Sequence, residues 1–134
     1  INKKPLFIVD GAHNAGAADK MAESIRHYFN RKKLIYIMGV FADKEYKIVL
    51  EKTAHFAEKI YTIETPDNPR ALPAEELAKA ARVYNSSAES TKSIKDAVEK
   101  AFSCAGDDEN SVILAFGSLS FIGALTNAVE EYVG

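Results

Sequence analysis

Strand-like and helix-like patterns alternate along all 134 residues, which predicts an α/β domain with a mainly parallel sheet and helices on both faces. Two further observations point the same way. The stretch Leu34-Ile35-Tyr36-Ile37-Met38 is apolar without a break, as a strand covered on both faces is. The polar residues with chemistry to offer collect just after the strand-like runs, where open parallel sheets bind ligands.

Leu6 to Val9 reads as the first strand. Residues near 16 to 29 follow as a helix with Ala18, Met21, Ala22, Ile25, Tyr28 and Phe29 in helical phase. Arg31-Lys32-Lys33 is a solvated connection, and Leu34 to Val40 is the second strand, ended by Gly39. The second helix spans about 44 to 58, with Tyr46, Val49, Leu50, Thr53 and Ala57 on one side. Lys59 to Glu64 is the third strand. The loop Thr65-Pro66-Asp67-Asn68-Pro69-Arg70 follows, and its prolines forbid regular pairing. Leu77, Ala78, Ala81 and Tyr84 set a third helix over about 74 to 84. Residues 85 to 90 are polar and admit a short strand. A fourth helix over about 92 to 105 carries Ile94, Ala97, Val98, Ala101, Phe102 and Ala105 in phase. Ser93 with Asp96 resembles a capping box at its start, and Ser90 is the rival cap. Ser111 to Phe116 is the last long strand, broken by Gly117-Ser118, and a final helix runs from about 119 to 132. The sum is a Rossmann-like three-layer sandwich in one domain, residues 1–134.

An apolar fraction of 47% is ordinary for a globular domain of this length. The net charge of −2 gives no electrostatic case for nucleic acid or an anionic membrane as partner. No apolar run is long enough to span a bilayer, and no signal-like segment opens the chain. The single cysteine, Cys104, forms no internal disulfide and reads as an apolar filler in a helix. These features suit a cytoplasmic monomer. The chain opens on Ile1 rather than Met and reads as a domain cut from a longer protein.

The densest chemistry is Asp10-Gly11-Ala12-His13-Asn14, a carboxylate, a glycine, an imidazole and a carboxamide in one strand-to-helix turn. A purely structural role is also open: Asp10 and Asn14 suit helix capping, with Gly11 making the turn. Asp43 and Lys44 follow the second strand, Asp67, Asn68 and Arg70 the third, and Gly117, Ser118 and Ser120 the last. In a parallel sheet all four turns share one edge, so their side chains are placed to converge on one cleft. Arg70 is a rigid fork suited to a carboxylate or phosphate. His27 and His55 fall within helix patterns as surface or boundary residues, and the three histidines lack metal-ligand spacing, so no metal site is expected in this chain. There is no Gly-x-x-x-x-Gly-Lys-Ser/Thr loop and no Gly-x-Gly-x-x-Gly after the first strand. The phosphates of any nucleotide must therefore be held mostly by another domain.

Asp10-Gly11-Ala12-His13-Asn14, Gly39-Val40-Phe41-Ala42-Asp43-Lys44, Asp67-Asn68-Pro69-Arg70-Ala71 and Phe116-Gly117-Ser118-Leu119 resemble, in order and spacing, the C-terminal domain of the folylpolyglutamate synthase and dihydrofolate synthase family within the Mur ligase superfamily. The resemblance implies an ATP-dependent amide ligase of folate biosynthesis and one-carbon metabolism. A substrate carboxylate becomes an acyl phosphate, and the amine of L-glutamate displaces phosphate. ATP and Mg2+ would be held mainly by an N-terminal P-loop domain, which is the implied partner along with folate or dihydropteroate. By position, Asp10 would accept from the ATP ribose hydroxyls, and His13 and Asn14 would lie near the nucleotide. His13 and Lys44 are the implied catalytic residues, while Lys44, Arg70 and Ser118 are the candidates for glutamate. The family often has proline after Asn14, where this chain has Ala15, which loosens the helix start. Asp-Asn-Pro-Arg also occurs in a cell-wall branch of the superfamily that extends UDP-muramoyl peptides. Gly11-Ala12 favours the folate branch, because the wall enzymes usually carry tyrosine before alanine. A non-catalytic nucleotide-sensing domain of the same fold is the alternative from another class. The isolated domain is expected to be inactive.

Overall fold

The computed structural model describes residues 6–10, 15–28, 32–40, 46–64, 69, 71–106, 111–117, 127, 128 and 130. In chain order the elements are β1 (Leu6–Asp10), α1 (Ala15–Tyr28), β2 (Lys33–Gly39), α2 (Tyr46–Thr53), β3 (Lys59–Thr62), α3 (Ala74–Arg82), β4 (Ala88–Ser90), α4 (Ile94–Ala105) and β5 (Ser111–Gly117). The five strands form one sheet in the order β1-β5-β2-β3-β4, and every pairing is parallel. The last strand in sequence is thus inserted between the first two. Asp10 is in register with Phe116, Gly39 with Gly117, and Met38 with Thr62. The strands therefore end level along one edge.

Alternation inside the apolar strands divides the core into two layers. Leu34, Tyr36, Met38, Ile60, Val112 and Leu114 face one side and pack under α1, α2 and α3. Ile35, Ile37, Tyr61, Ile63, Ile113 and Ala115 face the other and pack under α4. A strand with apolar residues on both faces gains about 1.5–3 kcal/mol for each large side chain it buries, and this is why β2 shows no polar break. Small residues set the approach of α4: Ala97 and Ala101 are fully buried against the sheet. Tyr36 brings a polar group into the first layer. Its hydroxyl donates to the carbonyl of Thr53 at 2.7 Å, and burial pushes its phenol pKa far above the ordinary value.

Several local expectations shift. The second helix stops at Thr53 rather than near 58, and Ala54–Phe56 form one 3-10 turn. The chain has to enter β3 there: the N–H of Glu58 already donates to the carbonyl of Leu34 at 2.8 Å. The carbonyls released by this early stop are not wasted, since Asn85 Nδ2 donates to those of Ala54 and Ala57 at 2.9 and 2.7 Å. β3 ends at Thr62, not Glu64. Tyr28 and Tyr84 fit the apolar periodicity but are exposed, at 69% and 41%. Each stands where its helix runs out: Tyr28 is the last residue of α1, and Tyr84 lies beyond the end of α3. The fourth helix begins at Ile94 with Ser93 as its cap, whose Oγ accepts the N–H of Asp96 at 3.0 Å. The Asp96 carboxylate accepts the N–H of Lys92. Ser90, the rival cap, lies instead in β4 and donates to Glu75. Gly106 closes α4 at φ 61°, a left-handed conformation that glycine reaches without a Cβ clash. Of the final helix, residues 127, 128 and 130 are described, and they are helical.

Candidate functional site at the carboxyl edge of the sheet

β1, β2 and β3 are each followed by a helix on the first face of the sheet. After β5 the chain goes to the other face, where Ala128 packs on the cluster under α4. β5 is thus flanked on both sides by strands whose helices leave in the opposite direction. Such a reversal opens a crevice at the carboxyl ends of the strands, the usual ligand site of open parallel sheets.

Asp10 is the final residue of β1 and stands at this carboxyl edge, level with Phe116. The other sequence-predicted site residues, His13, Asn14, Lys44, Arg70 and Ser118, lie outside the described residues. The strands that lead to them are described. Segment 11–14 joins the end of β1 directly to α1, segment 41–45 leaves after Val40, and Ser118 follows the last residue of β5. Three neighbouring strands, β1, β5 and β2, therefore send these segments out of one edge.

The loop that carries Arg70 is clasped at its base by three hydrogen bonds. Thr62 Oγ1 donates to the carbonyl of Ala74 at 2.7 Å. The N–H of Ile63 donates to the carbonyl of Met38 at 2.9 Å, and the N–H of Leu72 to that of Val40 at 3.0 Å. Thr91 adds a brace, donating to the carbonyl of Thr62 through both its N–H and its hydroxyl. Ile63 belongs to the apolar layer under α4 and Leu72 to the opposite one, so the two feet of the loop straddle the sheet edge. The expected loop over 65–70 lies, apart from Pro69, outside the described residues, and sequence reasoning missed Thr62, Ile63, Leu72 and Thr91 beside it. The available signal was weak: a threonine at the end of a strand and apolar residues on either side of a proline-rich turn.

Among the described residues, His27, His55 and Cys104 lie toward the opposite edge. His27 is exposed near the end of α1, and His55 is exposed in the turn just before β3. Cys104 is half-buried near the end of α4, where its carbonyl accepts from Lys33 Nζ at 3.0 Å. Burial, with Cys104 and Glu89 alongside, pushes the neighbouring Tyr61 phenol up to about 12. Glu89 of the edge strand β4 pairs with Lys59 and Lys100 at 3.2 and 3.0 Å, which hold its carboxyl below the ordinary value. This network ties the sheet to α4 away from the crevice. Among the described residues, no three His, Cys, Asp or Glu side chains gather closely enough to hold a metal ion, and no helix is long and apolar enough to cross a membrane.

A parallel sheet with this reversal defines an open α/β domain of the kind that takes ligands at its carboxyl edge. The model of the family described as "Mur ligase, glutamate ligase domain" matches residues 1–119, and the chain belongs to that family. The dihydrofolate synthase/folylpolyglutamate synthase of Bacillus subtilis (strain 168) is 28% identical over 130 residues, which are 97% of this chain and 29% of that protein. The structure of Mycobacterium tuberculosis folylpolyglutamate synthase complexed with ADP superposes with a TM-score of 0.80 at 25% identity, over 92% of this chain and 29% of that one. E. coli FolC, in complex with DHPP and ADP, superposes over 100% of this chain and 31% of its own length, with a TM-score of 0.83 at 19% identity, a likeness of fold. The chain thus spans under a third of the length of these proteins.

Proposed function

We propose that this chain acts as the C-terminal domain of a cytoplasmic ATP-dependent amide ligase that joins L-glutamate to a folate or to dihydropteroate. In this reading a carboxylate oxygen of the pterin substrate attacks the γ-phosphorus of ATP and ADP leaves. The resulting acyl phosphate carries a good leaving group. The amine nitrogen of glutamate attacks its carbonyl carbon, phosphate departs, the amine loses a proton, and an amide bond remains. Enzymatic acceleration of both steps comes mainly from positioning and from charge stabilisation around the transferring group.

The chain's own residues divide this work. Asp10, at the rim between β1 and β5, suits acceptance of hydrogen bonds from the ATP ribose hydroxyls. His13 and Asn14 follow it in the turn toward the nucleotide. Lys44, in the segment that follows β2, suits the developing negative charge of the acyl transfer as a positive charge. Arg70 and Ser118, with Lys44, suit the carboxylates of glutamate, Arg70 as a two-pronged donor. The chain has no P-loop, and its described residues offer no acidic cluster for a cation. Mg2+ and the ATP phosphates are therefore assigned to a P-loop domain that closes against this edge.

The observation that carries the reading is the family match over residues 1–119, a span that contains Asp10, His13, Asn14, Lys44, Arg70 and Ser118. The test is a substrate comparison with the full-length protein. Phosphate release should require ATP, glutamate and either a folate or dihydropteroate. Release that instead requires a UDP-muramoyl peptide and a diamino acid would place the protein in the cell-wall branch. No release with any acceptor would favour a nucleotide-sensing role.

A further inference from the structure

Gly39 ends β2, buried and level with Gly117 of β5. A Cβ at this position would lie 2.9 Å from Ile63 Cγ1 and closer still to Cδ1. Real Cβ atoms essentially never pack so tightly, and Ile63 has little room to yield. It is fully buried in the layer under α4, and its branched side chain is restricted at χ1. Glycine is thus required here for space, so that Ile63 can lie across the end of β2. The two bonds that seat the Arg70 loop bracket this contact. Ile63 donates to Met38 on one side of Gly39, and Leu72 donates to Val40 on the other. Both feet of the loop therefore rest on the residues flanking one glycine. The same short stretch of β2 leads on to the segment bearing Lys44.

We propose that Gly39 is a positioning residue: by accommodating Ile63 it fixes the seat of the 64–71 loop on the exit of β2, and so the place from which Arg70 is presented to the incoming amino acid. The first half stands on the packing alone, and the second rests on the reading of this loop as part of the glutamate site. The seat is a joint between two strands, so a change at Gly39 acts on a loop far from it in sequence.

The test uses the full-length ligase with Gly39→Ala, Ile63→Val and the double variant. Gly39→Ala should speed hydrogen exchange at the Leu72 amide and raise the KM for glutamate about tenfold, while kcat and the KM for ATP change much less. Ile63→Val removes Cδ1, the nearer of the two atoms an alanine would strike, so the double variant should return both readouts part of the way toward the parent values. Unchanged exchange at Leu72 in Gly39→Ala, or no rescue by Ile63→Val, overturns the joint. Should Gly39→Ala fail to fold, Thr62→Val reads the same clasp by removing its bond to Ala74. It should then speed Leu72 exchange, and no change there overturns the proposal. Altered and rescued exchange with an unmoved glutamate KM confirms the joint and overturns the glutamate reading of the loop. Arg70→Lys, measured in parallel, should then leave that KM unmoved as well.

Discussion

Asp10 earns its position from its neighbours rather than from its own turn. It is the last residue of an edge strand, in register with Phe116, where the chain directions on either side of the sheet diverge. Asp10→Ala in the full-length protein should weaken ATP binding by about 1–3 kcal/mol, the range for a lost hydrogen bond of a charged group. Thermal stability should hold. Unchanged kinetics for ATP with a large fall in Tm would favour a capping role instead. Arg70 makes a complementary case. The residues on either side of its segment, Ile63 and Leu72, are tied to β2, and fixed ends lower the entropy cost of holding a side chain on a ligand. Arg70→Lys keeps the charge and loses the fork, so the KM for glutamate should rise about tenfold or more and the KM for ATP much less. Equal effects on both would indicate a part in domain closure. The candidate polar residues stand out in the sequence because they cluster after apolar runs, and of them Asp10 lies among the described residues. The clasp beneath Arg70 was not, because Thr62, Ile63 and Leu72 find their partners at Ala74, Met38 and Val40, and nothing in local spacing announces those pairs.

At the scale of elements, the helices followed their apolar periodicity wherever the sheet lay beneath them. α4 is the cleanest case, with all six in-phase residues buried and Ser93 capping its first turn. Periodicity failed at helix ends, where Tyr28 and Tyr84 continue the pattern past the sheet. β4 was the hardest element to read, because it is three residues long and lies at the sheet's edge. Charge suits such an edge, where it discourages pairing with another chain. Glu89 at its centre is held by Lys59 and Lys100, and its carboxyl pKa is lowered by those bonds. A depressed folded pKa means that the contribution to stability is present above the unfolded carboxyl value and is lost as pH falls through the folded one. Glu89→Gln should therefore lower Tm at neutral pH, and the gap to the parent should close as pH drops below about 4. The side chains are partly exposed, so the effect should be modest and shrink in high salt. A gap that is constant with pH would show that packing, not the ion pairs, carries the difference.

For the whole molecule, the alternation of elements was enough to give a parallel three-layer fold, but not its strand order. β2 and β5 are both continuous apolar runs, and such runs do not say which neighbours they take. Insertion of β5 between β1 and β2 is what makes neighbours of the three strand ends that the segments with Asp10, Lys44 and Ser118 adjoin. The two buried layers are contributed by the chain's own sheet and helices. Expressed alone, the 134-residue chain should accordingly fold as a monomer with a fixed near-UV circular dichroism signal. Loss of that signal with gain of dye binding would contradict independent folding. In the proposed function this fold supplies one half of a ligase centre, and a P-loop domain provides the phosphate-binding half. The most direct test is glutamate-dependent phosphate release from ATP, measured side by side for the full-length protein and for the folded isolated chain. The full-length protein should turn over and the isolated chain should release none, whereas glutamate-dependent release by the isolated chain would show that catalysis needs no P-loop partner.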